Sequence, residues 1–174
     1  MRQSAMIRRL TVAAIFMAMN IILSLSILSI PVPGGHLYLN DIIICTAALL
    51  LDPFSAFAVG GVGSFIGDML FYPAPMFVSL ATHGLQAVAI SLCSRHLFKK
   101  HPLAGAIVGV LLGAVIMVTG YTLGRAYVYA TPEYAIVKLP YEILQAALGV
   151  VAGPILCFGC DLRGKLSRIL MQEN

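Results

Sequence analysis

The sequence predicts an all-α integral membrane protein with six transmembrane helices and both termini in the cytoplasm. Three observations carry this prediction. Hydrophobic residues make up 60% of the 174, charged residues only 10%, and the mean hydropathy is +0.95, whereas soluble domains carry about 25% charge. Proline and glycine breaks divide the apolar sequence into segments of helical length. Nine of the 11 basic residues fall in three short clusters, which six spans would place on one face.

Segment one runs from Ile7 to Ile30, long enough to span about 30 Å of hydrocarbon at 1.5 Å per residue. The basic stretch from Met1 to Arg9 leads into it without a small-x-small cleavage site, so it reads as an uncleaved first helix. Ala14 and Ala18 give it a small-x-x-x-small face suited to docking against a partner helix. Pro31-Val32-Pro33-Gly34-Gly35 ends the segment, because proline cannot continue the ladder and paired glycines favour a turn. Segment two, Leu39 to Leu51, is short for a span and stops at Asp52-Pro53.

Segment three, Phe54 to Tyr72, carries Gly60, Gly61, Gly63 and Gly67, which permit close helix packing, and ends at Pro73-Ala74-Pro75. Segment four covers Met76 to Phe98. Segment five follows Pro102 as far as Tyr129. After Thr131-Pro132, segment six covers Tyr134 to Leu170, with a bend expected at Gly153-Pro154.

With this count, Arg2, Arg8, Arg9, Arg95, Lys99, Lys100, Arg163, Lys165 and Arg168 share one face, the cytoplasmic one by the positive-inside rule. Arg125 and Lys138 fall near the other. A four-span arrangement with segments two and three as a re-entrant pair would also keep the clusters together. Such clusters are contacts for membrane lipid and do not indicate nucleic acid. Residues 1–174 form one transmembrane domain.

The polar residues inside the spans pose the functional question, since ionisable groups at mid-bilayer cost about 2.5–3.5 kcal/mol on insertion scales. Gly35, His36, Tyr38, Asn40 and Asp41 crowd the first outer loop. Such a loop suits folding over a cavity; a plain turn in which Asn40-Asp41 caps segment two is the competing reading. Ser79, His83 and Gln86 form one stripe of segment four. A membrane histidine often serves only as a helix-to-helix hydrogen-bonding partner, but Gln86 beside it favours a cavity equally.

Tyr121 and Arg125 lie a turn apart, where Arg125 suits either a site or snorkelling to the interface. Asp68, Tyr141, Glu142 and Gln145 complete the set, and either acid could pair with Arg125 for structure alone. Asn40, Asp68, Ser79, His83, Tyr121, Arg125, Glu142 and Gln145 all fall in the outer half of the bilayer. A channel or proton relay needs polar groups through the full depth, so this pattern describes a cup open to the outside.

Other chemistry finds little support. No Gly-x-x-x-x-Gly-Lys-Ser/Thr sequence, nucleophile elbow or His-Glu-x-x-His is present, and no cofactor or resident metal is implied. Cys157 and Cys160 have C-x-x-C spacing, but lack a second pair to complete a zinc site, so they read as two small residues at a helix end. Active transport would need an ion gradient or partner subunits.

The chain resembles the substrate-binding S-components of energy-coupling factor (ECF) vitamin transporters. The resemblance covers almost the full length. It rests on the alanines Ala14 and Ala18, the Gly34-Gly35 loop leading to Asn40-Asp41, and Leu49-Leu50-Leu51-Asp52-Pro53-Phe54-Ser55-Ala56 followed by Gly60-Gly61-Val62-Gly63-Ser64-Phe65-Ile66-Gly67-Asp68. It is nearest the riboflavin-type branch, which is similar to members assigned to hydroxymethylpyrimidine or pyridoxine. The loop pattern of that family is nearer Asn-Leu-Gly-Asp, whereas here Asn40 and Asp41 are adjacent.

The resemblance implies a non-enzymatic subunit of a prokaryotic plasma membrane. It would capture a small vitamin from outside under loop one and dock, through Ala14 and Ala18, on a transmembrane scaffold subunit driven by two ATPase subunits. Toppling of the subunit in the membrane would then carry the vitamin inward. Tyr38, Tyr121 and Tyr141 offer ring faces; His36, Asn40, His83, Gln86 and Gln145 offer hydrogen bonds. Such a lining suits a flat polar heteroaromatic. An autonomous proton-coupled transporter using Asp68 or Glu142 is the alternative, and a small membrane enzyme using His83 or Glu142 ranks behind it.

Overall fold

A computed structural model of the chain describes residues 2–25, 28–98 and 100–171; Lys99 and the Arg2 side chain, both counted in the charge clusters above, lie outside what it describes. Among the described residues, seven helices and one short hairpin follow in order: α1 Arg2–Leu23, β1 Ile30–Val32, β2 Gly35–Leu37, α2 Asn40–Leu50, α3 Pro53–Phe71, α4 Met76–His96, α5 Pro102–Tyr129, α6 Pro132–Gly159 and α7 Leu162–Met171. Proline opens α3, α5 and α6 within the first turn, where its missing N–H is harmless and its φ is already helical. Asp52 caps α3 by accepting from Ser55 N at 3.1 Å, and Thr131 caps α6 by accepting from Tyr134 N.

Five helices, α1 and α3 to α6, are long and apolar enough to cross a membrane. The expected sixth is not of full length. The α2 helix has 11 residues, about 16 Å at 1.5 Å per residue, roughly half a hydrocarbon core. Nine of those residues are buried, so α2 is a core element surrounded by the other helices. It starts beneath the hairpin and ends beside Arg95, whose guanidinium donates to the Leu50 and Leu51 carbonyls.

The expected all-α chain is therefore interrupted at the hairpin, where Ile30 pairs Leu37, Pro31 pairs His36 and Val32 pairs Gly35. Gly34 and Gly35 have φ of +81° and +140°, which side chains with a Cβ rarely adopt. Segment six is also corrected. It does not run on to Leu170 with a bend at Gly153-Pro154: Pro154 stays inside the helical run, and the break falls at Cys160–Asp161, where Asp161 takes φ +53°. Cys157 ends in the core and Cys160 is exposed, with neither in a disulfide.

Three π-helical turns widen the spans, at Ala58–Val62, Arg125–Tyr129 and Ile155–Gly159. In the first, the buried Asn20 of α1 donates to the Val59 carbonyl at 2.7 Å, tying α1 to α3. The core lies between α2, α4, α5 and α6 around Ile44, Ala48, Ala87, Ile90, Ala106 and Val110. Glycines set the spacing of α3 on α4: a Cβ at Gly60 would stand 2.8 Å from the His83 carbonyl oxygen.

Helices α1, α3 and α5 rise from the basic end and α2, α4 and α6 return to it. Arg9, Arg95 and Arg163 accordingly share a cavity of about 300 Å³ at that end. The polar residues of the spans gather at the opposite one.

Candidate functional site

At that opposite end a cavity of about 250 Å³ lies under the hairpin. Ten of the residues singled out in the sequence line it: Gly35, His36, Tyr38, Asn40, Asp68, His83, Tyr121, Arg125, Glu142 and Gln145. Gln86 does not. It is buried one layer below, holding the His83 ring from beneath. Tyr141 is also absent from the lining, and the aromatic walls come instead from Phe71, Tyr72 and Tyr129.

The α2 end of the cavity decides between the two readings of the first loop. The α2 helix starts after Leu39 without any side-chain cap, so Asn40 and Asp41 do not cap it. Both are buried. Asp41 accepts from Gln86 Nε2 at 2.8 Å and from Gln145 Nε2 at 2.6 Å, joining α2 to α4 and α6. Asn40 lines the cavity, and its side-chain oxygen is buried without a partner. A buried acceptor without a partner carries a desolvation penalty of about 1–3 kcal/mol.

The hairpin is fastened from below at three points. Arg125 donates through Nη1 to the Gly34 carbonyl at 3.0 Å and through Nη2 to Glu142 Oε1 at 2.8 Å. Its guanidinium also stands 5.3 Å over the Tyr129 ring. With only 8% of its surface exposed, Arg125 is inside the site and does not snorkel. Lys138 donates to the His36 carbonyl, and Gln145 Oε1 accepts from the Tyr38 backbone N–H at 3.0 Å. Two carboxylates, Asp68 and Glu142, and two cations, Arg125 and Lys138, leave the lining formally neutral.

Asp68 accepts from Ser79 Oγ, which lies 2.5 Å from the Tyr121 hydroxyl. Of the two acids weighed as partners of Arg125, Glu142 takes that place. His83 packs edge-on to Tyr121 with ring centroids 5.2 Å apart. At the rim, burial pushes the Tyr38 phenol up to about 12, with the nearby Asp68 charge adding to it, so its hydroxyl keeps its proton.

Lys138 is the principal lining residue that the sequence pattern does not single out, where it reads only as a charge near the outer face. It is 2% exposed. A signal is present: Lys138 and Glu142 are four residues apart, hence on one face of α6. Tyr129 and Tyr72 carry no comparable signal. Tyr129 reaches the cavity because the π-helical turn after Gly124 rotates the end of α5.

Arranged this way, the site can enclose a small ring and hydrogen-bond its edges. Two comparisons with known proteins bear on it. A profile for the family described as "ECF-type riboflavin transporter, S component" matches residues 4–160. An uncharacterised protein from the gap 3′ region of Pyrococcus woesei is 32% identical over 143 residues, covering 81% of this chain and 93% of its own length.

Proposed function

The chain belongs to the ECF-type riboflavin transporter S-component family, and on that premise we propose that it captures a small heteroaromatic vitamin under the 30–37 hairpin and delivers it to an ECF scaffold with two ATPase subunits. The observation that carries this reading is the hairpin-covered, formally neutral cavity at the end of the bundle opposite the basic clusters. By the positive-inside rule that end faces outside and both chain ends face the cytoplasm.

The ligand class follows from volume and charge. Ligand pockets for drug-sized molecules hold about 300–1,000 Å³, and this one holds about 250 Å³. That size suits a single ring of the hydroxymethylpyrimidine or pyridoxine type. Riboflavin, favoured by the family description, requires the hairpin to lift. The two carboxylates Asp68 and Glu142 balance Arg125 and Lys138, so the lining offers no net positive charge to a multiply anionic ligand.

Partner docking is supported by α1. Only 11% of its spanning window is buried, against 33–50% for the other four long helices. Ala14 and Ala18 are exposed on it, while Ala13 packs inward against Ala47, Leu51 and Val59.

The test is a binding screen of purified protein against riboflavin, pyridoxine, hydroxymethylpyrimidine, thiamine, pantothenate and biotin, read by tyrosine fluorescence and thermal shift. Nanomolar binding of one compound, lost in His83→Ala, supports capture and names the cargo. Folded protein that binds none of them overturns the reading. Proton-driven uptake by this chain alone would favour the autonomous transporter instead.

A further inference from the structure

The hydrogen bonds beneath the cavity form a directional chain that begins at Asp41. A carboxylate only accepts, so each amide that meets it must present its NH2 group. Gln86 and Gln145 both do so, at 2.8 Å and 2.6 Å. The orientation of Gln145 is fixed a second time, because its Oε1 receives a backbone N–H from Tyr38. With Gln86 turned this way, its Oε1 faces His83 Nδ1 at 2.7 Å. An amide oxygen cannot donate, so Nδ1 carries a hydrogen. With that single proton on the ring, which lines the cavity, Nε2 carries a lone pair.

A second chain reaches the same polarity independently. Ser79 donates its hydroxyl to Asp68 and has only lone pairs left for Tyr121. Tyr121 must therefore donate to Ser79, and its phenol oxygen keeps a lone pair. His83 and Tyr121, which carry these two acceptors, both line the cavity.

We propose that this site selects its ligand by a donor-bearing edge, an N–H, NH2 or O–H group on the ring, with Asp41 as the positioning residue that fixes His83 as an acceptor. The inference rests on the capture reading above and gives it a polarity. A site with fixed buried acceptors rejects analogues that lack the donor, because its own groups are then left unpaired. Asp41 touches no ligand in this scheme. It acts through Gln86.

Two experiments on the wild-type chain test it, with a variant as the third. In ring-15N-labelled protein in nanodiscs, assigned by comparison with His83→Phe, the His83 signals should show a protonated Nδ1 and an unprotonated Nε2. A proton on Nε2, with or without one on Nδ1, overturns the proposal, whatever the cargo. Calorimetry then compares riboflavin with 3-methylriboflavin, pyridoxine with 3-O-methylpyridoxine, and 4-amino-5-hydroxymethyl-2-methylpyrimidine with its 4-dimethylamino analogue.

For the compound that binds, methylation should weaken affinity about ten- to a hundredfold, the range of one buried group left unpaired. Equal binding within the pair overturns the donor-edge proposal and leaves capture standing. Binding by none of the six overturns capture of these three ring classes, while the tautomer still reports on the Asp41 relay. Asp41→Asn, which can accept from only one of the two amides, should lower affinity and shift the His83 tautomer together. A lower Tm with the tautomer unmoved would reduce Asp41 to a structural role.

Discussion

Arg125 and Gly34 lie 91 positions apart in the chain, yet the guanidinium of one donates to the carbonyl of the other at 3.0 Å while its second nitrogen pairs with Glu142. One side chain thus joins α5, α6 and the hairpin over the cavity. Arg125→Met should leave Glu142 buried and unpaired, at a cost of about 3–5 kcal/mol. Adding Glu142→Leu should recover part of that loss. Denaturant unfolding of the two singles and the double in detergent measures it; a double variant as unstable as the sum of the singles would disprove the coupling.

Lys138→Met keeps the length of the side chain but removes its bond to the His36 carbonyl. Hydrogen bonds to charged groups contribute about 1.5–3 kcal/mol, so ligand dissociation should accelerate about ten- to a hundredfold. Amide exchange of residues 30–37 should rise with it. Unchanged exchange would mean that Lys138 does not hold the hairpin down.

Gly60→Ala places a Cβ 2.8 Å from the His83 carbonyl oxygen, and backbone cannot move aside cheaply. Overpacking of this kind costs about 1–3 kcal/mol. Because His83 sits at the contact, ligand affinity should fall too. Gly159→Ala is the control: its Cβ would meet only Ile155 Cγ2 at 3.7 Å, and Tm should stay within a degree or so.

Asp52 gives a prediction in pH. Burial pushes its carboxyl up, but the bonds from the Ser55 hydroxyl and backbone N–H outweigh this and hold it below its ordinary value. A depressed folded value stabilises the protein above the unfolded pKa of about 3.9, and the increment is lost as pH falls through the folded value. Asp52→Ala should therefore lower stability by about 1 kcal/mol at pH 7. The gap to wild type should close as pH drops below about 4. A gap independent of pH would rule out the charged cap as its source.

Ala14→Leu with Ala18→Leu enlarges the exposed face of α1 without touching the cavity. Vitamin affinity of the isolated chain should not change. Uptake in cells that supply the scaffold and ATPases should drop sharply. Loss of binding instead would place these alanines in folding.

Much of the fold is legible in the sequence alone. Helix boundaries follow Asp52-Pro53, Pro73, Pro102 and Pro132, because proline acts locally, whereas α1 stops at Leu23, short of the end expected at Ile30, and Pro31 lies inside β1. The Ser79–His83–Gln86 stripe is readable because helical period is fixed. Less legible is whatever depends on long-range pairing. Asp41 looks like a cap by its position, and only the arrival of Gln86 and Gln145, 45 and 104 residues later, makes it the centre of the site. Tyr129 enters the lining and Tyr141 stays out of it for a similar reason: one wide turn rotates the last residues of α5, and no residue type announces it.

The half-length of α2 has a mechanical consequence. Roof and floor of the cavity are one continuous strip of chain, from the hairpin through Tyr38 to Asn40 and Asp41, with no joint between them. A roof that lifted would pull on the Tyr38 amide, hence on Gln145, hence on the Asp41 carboxylate. Under the proposed capture role, admission and recognition would then be the same motion, and a departing molecule would first have to loosen the grip that identified it.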